Sequence, residues 1–290
     1  AGDPAKLSAR HAFPALWTME REHGSLLRGQ NAQARARRAR GETAPAIVSF
    51  RRGLQTLTDA LAAGLPPGAL CTEVTIEHLT AKPRWAVVWR DAAGTHSREF
   101  DAIVSALPAT GLAGLRIGAM GEKPLAGLAG IVHPPVASLF LGFRREQVAH
   151  PLDGFGLLVP AREKRHLLGV LFSSSLFPGR APSGHVALTV MAGGTRQPEL
   201  AGLAAADLLQ AVRGDLKDLL GVSGEPVFVR HTSWPRAIPQ YNLGHEQHLN
   251  AIAACERVYP GLFVGGQVRD GIAVPACIAA GEKLATRATS

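Results

Sequence analysis

Hydrophobic spacing divides the chain into stretches of different character. Leu7, Phe13, Leu16, Trp17, Met19, Leu26 and Leu27 recur at near-helical intervals, which predicts two short helices over residues 7–28, with Ser8 as a cap and Pro14 near a helix start. Residues 29–45 are polar and rich in Ala and Arg, and read as a loop. Leu54, Leu57, Leu61 and Ala62 share one face of a helix that Gly64-Leu-Pro-Pro-Gly68 closes. Period-two and β-branched content then predicts strands over 69–79, 85–90 and 100–105, with a turn at 91–94 between the last two.

Beyond Pro134 the pattern changes. Strand-like runs at 136–143, 154–159, 166–172 and 185–191 follow in series, separated by turns rich in Gly and Pro, which predicts a largely antiparallel sheet. Residues 199–220 have the apolar period of a helix, 227–231 form one more strand, and 244–256 a further helix. Near the C-terminus Leu262 to Val264 is a short apolar strand. Gly265, Gly266 and Gly271 bracket a turn, and Ile272, Val274, Cys277, Ile278 and Leu284 then recur at helical spacing from Gly271 on. Such a strand, glycine turn and helix lets a ligand approach the backbone, and the helix N-terminus offers N–H groups to an anion. It is also an ordinary connection in an α/β protein. The layout is mixed α/β: residues 46–110 and 240–290 form one layered unit, and 111–239 an inserted sheet domain.

Length, charge and cysteine content narrow the classes. A chain of 290 residues with 46% hydrophobic and 19% charged residues can bury a large core. The net charge of +8 includes the run Arg35, Arg37, Arg38 and Arg40, which reads as a solvated segment and has no nucleic-acid motif beside it. Cys71, Cys255 and Cys277 are far apart, which argues against a disulfide framework or zinc site and for a reducing compartment. In His245-Glu-Gln-His248 the histidines are three apart rather than the four of a zinc-protease helix, so no metal site is expected. The chain begins at Ala1 without Met or a signal-peptide pattern, and is expected to be part of a longer protein.

Several motifs resemble one family. Ile238-Pro-Gln-Tyr241-Asn-Leu-Gly244-His245 is similar to a signature of the protoporphyrinogen oxidases. So are Gly154-Phe-Gly-Leu-Leu-Val-Pro160, Ser173-Ser-Ser-Leu-Phe-Pro178, the opening residues 1–8 with Phe13-Pro14, and Gly261 followed by Gly271-Ile-Ala-Val274. The motifs fall in the family's order across essentially the whole chain. The resemblance implies a two-domain FAD-linked flavoprotein of the amine oxidase and protoporphyrinogen oxidase type. The family's opening Gly-x-Gly-x-x-Gly unit, which holds the FAD pyrophosphate, is absent, so the chain corresponds to the C-terminal part. Residues 1–45 correspond to the tail of a helical, membrane-associated domain.

The resemblance also implies roles. Val74, Trp234, Ile272, Ala273 and Val274 match positions near FAD; Phe155, Leu158, Leu171 and Met191 match the lining of a tetrapyrrole cavity. Apolar walls suit a flat macrocycle, and small residues with free N–H groups suit the flavin edge that becomes negative on reduction. The implied reaction oxidises protoporphyrinogen IX to protoporphyrin IX, with FAD taking hydride equivalents and O2 reoxidising it. No residue stands out as a general base, and His245 reads as structural. The expected partners are the porphyrinogen, O2, an anionic membrane surface and a second copy of the chain, with no nucleic acid. The expected location is the inner face of a bacterial cell membrane. Coproporphyrinogen III as substrate, another flavoprotein of the same group such as an amine oxidase or phytoene desaturase, and an inactive tetrapyrrole-binding remnant stay open as alternatives.

Overall fold

The computed structural model describes residues 2–43, 47–81 and 83–289. They divide into two units. The described residues of 1–6, 49–53 and 133–237 form one, here the sheet unit; those of 7–48, 54–132 and 238–290 form the other, here the mixed unit.

The mixed unit opens with three helices, α1 (Ala9–Ala12), α2 (Pro14–His23) and α3 (Leu26–Ala39). Pro14 stands at the first position of α2, where its missing N–H costs nothing. Gly24, at φ +67°, ends that helix in the left-handed conformation that glycine tolerates. The loop expected over 29–45 is instead helical to Ala39; Pro45 lies outside the described residues. Periodicity misses this helix because its sequence is polar all round. Ala, Arg and Gln favour helix regardless, and α2 anchors its start: a Cβ on the buried Gly29 would stand 1.8 Å from Met19 Cγ.

Helix α4 (Gln55–Ala63) precedes a meander of β1 (Thr75–Ala81), β2 (Trp85–Asp91) and β3 (Gly94–Phe100), paired antiparallel in that order. The first strand starts later than expected, at Thr75. The strand expected over 100–105 is two elements: β3 ends at Phe100, and β4 (Ile103–Ser105) belongs to another sheet. Helix α5 (Ala109–Gly114) follows, and the boundary with the sheet unit falls at 132/133.

The sheet unit is built on β5 (Val136–Arg144), β6 (Gly156–Leu158), β7 (Leu167–Leu171), a short α6 (Ser173–Leu176), β8 (His185–Gly193), α7 (Ala205–Leu220) and β9 (Phe228–Trp234). The strands lie in the order β6-β7-β8-β5-β9, and every pairing is antiparallel. Alternate residues Ala137, Leu139, Leu141 and Phe143 of β5 and Val186, Leu188, Val190 and Ala192 of β8 are buried in one core with Leu208, Val212, Leu216 and Leu220 of α7.

The chain then returns to the mixed unit with α8 (His245–Val258), β10 (Leu262–Val264) and α9 (Val274–Thr289). Strand β10 pairs in parallel with β4, Leu262 to Ile103 and Val264 to Ser105. The core around this pair takes Leu262 and Val264, Ile252 and Cys255 from α8, Leu112 from α5, and Trp85 and Val87 from β2. The helix expected from Gly271 starts three residues later. Ala273 caps it, its carbonyl accepting the Cys277 N–H at 3.0 Å; Pro275 then occupies the first turn, where it lacks no bond. Among the described residues no helix is long and apolar enough to cross a membrane.

Gly29→Ala should destabilise the protein by about 1–3 kcal/mol through overpacking, and Met19→Ala in the same chain should recover much of the loss. Denaturant unfolding followed by circular dichroism measures both; equal loss in the single and double variants would place the strain elsewhere.

Candidate functional site

The segment from Gly265 to Ala273 leaves the carboxyl end of β10 beside the carboxyl end of β4. Ligands of open α/β sheets bind at such ends. The Gly265 N–H continues the ladder onto the Ser105 carbonyl at 3.0 Å. The next residues fold back on themselves: the Asp270 carboxylate accepts the Gly266 N–H at 2.8 Å, and the Gly266 carbonyl accepts the N–H groups of Arg269 and Asp270.

The glycines answer first to the protein. A Cβ on Gly265 would meet Leu284 Cδ1 of α9 at 2.5 Å and Asp270 Oδ2 at 2.8 Å, so α9 packs there only against a bare backbone. Gly266 and Gly271 adopt φ +88° and +108°, which strain any side chain. The turn therefore needs glycine for its own folding, a requirement that the ligand-approach reading of the sequence does not contain.

Four side chains from outside and inside the loop hold it. The Tyr241 hydroxyl donates to the Gln267 carbonyl and accepts the Gly271 N–H at 3.1 Å. His245 Nε2 donates to the Val268 carbonyl at 3.1 Å, which fixes its tautomer. Val268 is fully buried. The Glu256 carboxylate accepts the Val264 N–H at 2.8 Å, Arg269 Nη1 at 3.0 Å and Arg287 Nη2 at 3.1 Å. Asp270 closes the loop from within. The rings of Tyr241 and His245 stack 4.3 Å apart at 27°.

These environments set the protonation states. Burial pushes the Tyr241 phenol up to about 12, so it stays a donor. Burial lowers the His245 pKa and favours the neutral ring. For Glu256 burial acts upward, but the Val264 N–H and the two arginines outweigh it and hold the carboxyl below its ordinary value.

What the loop presents is the N-terminus of α9. The N–H groups of Ala273, Val274 and Ala276 precede the intrahelical ladder, and Pro275 has none. Ile272 and Val274 are 40% and 44% exposed. Ser105 Oγ, at the end of β4, is buried without a hydrogen-bond partner among the described residues. An exposed helix N-terminus and an unpartnered hydroxyl at strand carboxyl ends fit a polar or anionic group such as a flavin nucleotide. Val74 lies in the same unit, half-buried just ahead of β1.

Trp234 and the four residues matched to a tetrapyrrole cavity lie in the sheet unit. Directly paired residues share a sheet face. One row across the five strands reads Leu158, Gly169, Met191, Ser138, Thr232, and the adjacent row reads Gly156, Leu171, Thr189, Phe140, Arg230. Leu158, Leu171 and Met191 therefore share the face opposite the α7 core, as does Trp234 at the end of β9. Leu158 is 88% exposed, and Phe228 packs edge-on to Phe140 at 6.2 Å. Helix α6 borders this face, with the Ser173 and Thr189 hydroxyls 2.7 Å apart. Phe155 precedes β6, is half exposed, and bonds through its carbonyl to the Phe172 N–H; strand alternation does not put it with the other three.

A separate cavity of about 270 Å³ lies between α7 and residues 222–226, lined by Phe143, Leu209 and Leu216 with Arg213, Lys217 and Glu225. It contains none of the residues singled out from the sequence. Sequence reasoning assigned no role to Glu256, Asp270 or Ser105. Tyr241 was visible only as part of a motif.

Comparison with known proteins agrees with this architecture. The family model for flavin containing amine oxidoreductases matches residues 1–289. A mitochondrial protoporphyrinogen oxidase of Nicotiana tabacum is 34% identical over 97% of this chain and 60% of its own length. A coproporphyrinogen III oxidase of Bacillus subtilis is 25% identical over 97% of this chain and 60% of its own. Among solved structures, a protein of Exiguobacterium provisionally named a protoporphyrinogen oxidase superposes with a TM-score of 0.79 at 21% identity, covering 99% of this chain and 60% of that one. The chain thus spans about 60% of the length of these relatives.

Glu256→Gln should cost about 1.5–3 kcal/mol at neutral pH, the scale of hydrogen bonds to a charged group. Because the folded pKa lies below the ordinary 4.5, the carboxylate's contribution is complete above that value and is lost as pH falls through the folded pKa. Denaturation of both proteins at pH 7 and at successively lower pH should therefore show the deficit shrinking below about 4.5. A deficit independent of pH would remove the charge from the account.

Proposed function

Because the chain belongs to the family of flavin containing amine oxidoreductases, we propose that it forms the larger part of an FAD-dependent oxidase converting protoporphyrinogen IX to protoporphyrin IX, with O2 as terminal electron acceptor. The observation that carries this reading is the 34% identity to a protoporphyrinogen oxidase, sustained over 97% of the chain. The geometry supports it in two places. Ile272, Ala273 and Val274 would hold the flavin at the start of α9, with Val74 nearby in sequence to β1; the resemblance adds Trp234. Bound FAD supplies the acceptor for hydride equivalents. The apolar sheet face of Leu158, Leu171 and Met191, with Phe155 before it, would bind the flat macrocycle and keep water from it.

Coproporphyrinogen III is the second reading, supported by the similarity to the Bacillus subtilis enzyme. Propionate contacts decide between the two.

Three variants of the complete protein separate the assignments. Ala273→Trp should lower flavin content, read as visible absorbance per protein. Met191→Ala and Phe155→Ala should retain flavin and raise the KM for protoporphyrinogen, followed by porphyrin fluorescence. Lost contact worth about 1–3 kcal/mol per side chain corresponds to roughly five- to 150-fold. Wild-type kinetics in both truncations, with normal folding, would remove the sheet face from the substrate site.

We further propose that the protein associates with the inner face of the cell membrane through α2 and α3. Phe13, Leu16 and Leu27 are exposed there, and α3 carries Arg28, Arg35, Arg37 and Arg38, a pairing suited to an anionic surface. Co-sedimentation with phosphatidylglycerol-containing vesicles should fall when these arginines are replaced by Gln. Equal binding to neutral vesicles would overturn the electrostatic part.

A further inference from the structure

We infer that Tyr241 is a positioning residue for the flavin: a rigid strut that sets where the N-terminus of α9 stands. This rests on the flavoprotein reading above and adds to it a residue that touches neither cofactor nor substrate in that account.

The argument starts from the loop between β10 and α9. Its two ends converge on one atom. The Tyr241 hydroxyl donates its hydrogen to the Gln267 carbonyl near the start of the loop and accepts the Gly271 N–H at its end, 3.1 Å away. Gly271 stands three residues ahead of Val274, the first residue of α9, so this bond fixes the chain on its approach to the helix. A phenol oxygen does both jobs at once because it carries one hydrogen and two lone pairs. No other uncharged aromatic side chain offers that combination on a rigid ring.

The ring is itself immobilised. Tyr241 is only 6% exposed. Its face stacks on His245, whose Nε2 holds the Val268 carbonyl in the middle of the same loop. His11 and His248 meet the His245 ring edge-on at 5.5 and 5.7 Å. Behind it, the Tyr241 carbonyl accepts the Ser8 N–H at 2.8 Å, and Leu7 bridges to Asn242. Three loop groups (at Gln267, Val268 and Gly271) are thus referred to one stacked pair anchored to the N-terminal segment.

Tyr241→Phe keeps the ring and the stack and removes only the hydroxyl. In the flavin-free complete protein, amide exchange at Gly271 should accelerate about tenfold, the scale of one hydrogen bond. In the complete flavoprotein, the dissociation constant for FAD should rise about tenfold, and the visible-region circular dichroism of bound FAD should change, which a purely structural role would not produce. Should Tyr241→Phe fail to fold, 3-fluorotyrosine at position 241, which keeps the ring and stack but makes the phenol oxygen a weaker acceptor, tests the bond from the Gly271 N–H.

Faster Gly271 exchange with unaltered FAD affinity and dichroism would overturn the positioning role. Unaltered exchange would overturn the strut itself. Wild-type protein that takes up no FAD at all would instead sink the flavoprotein reading, and is distinguishable because the exchange arm needs no cofactor.

Discussion

A loop that turns between a buried strand and a helix must find partners for its backbone polar groups, because it cannot make a ladder of its own. The passage from Val264 to Gly271 meets this demand with side chains as much as with backbone. Glu256 takes the Val264 N–H, Asp270 takes the Gly266 N–H, and Tyr241 takes the Gly271 N–H; Tyr241 and His245 supply donors to Gln267 and Val268. Much of the mixed unit follows from that. Helix α8 must place His245 at one end and Glu256 at the other. The segment before it must deliver Tyr241. The first residues of the chain must come back to fasten Tyr241 through Ser8. Even α9 is fixed from this side, since Arg287 reaches the same carboxylate and lies over the Phe263 ring at 5.0 Å.

The parts of the fold read correctly from sequence are those where one face meets a core. The runs of β5 and β8 are such cases, each placed within two residues, and so is the period of α7, whose end was placed at Leu220 although the helix starts six residues later than expected, at Ala205. The failures have separate causes. Helix α3 has no apolar stripe, so periodicity could not detect it; propensity and a single close contact at Gly29 hold it. The run 100–105 was read as one strand, but Asp101 and Ala102, both poor strand formers, carry the chain from an antiparallel meander into a parallel pair. The start of α9 was misplaced because Gly271 looks like a helix boundary, whereas its N–H is committed to Tyr241.

The site was legible to a different degree. Glycines at 265, 266 and 271 were recognisable as a turn, but not the reason for them. Packing of Leu284 against Gly265 and positive φ at the other two are tertiary facts. Glu256 and Asp270 are invisible in sequence because charged residues near a helix end or turn are commonplace on surfaces. Their importance comes from which backbone groups they meet.

The sheet unit poses a different question, since the face opposite its core carries an apolar cluster toward β6, β7 and β8 beside polar positions Ser138, Thr189, Arg230 and Thr232. An antiparallel sheet with one covered face ordinarily alternates apolar inward and polar outward. Here β7 reads Leu-Leu-Gly-Val-Leu and the middle of β5 reads Ser-Leu-Phe-Leu-Gly-Phe, with no charged residue on either face before Arg144. The inward set packs on α7. The outward set, Leu158, Leu171, Met191, Phe140 and Phe228, has glycines at 156, 169 and 142 between its bulkier members. Glycine at these positions keeps the surface low, and a Cβ on Gly169 would stand 2.6 Å from the Leu157 carbonyl oxygen. A low apolar face suits a wide planar ligand better than a compact or charged one, because dispersion and desolvation scale with the area two flat surfaces share.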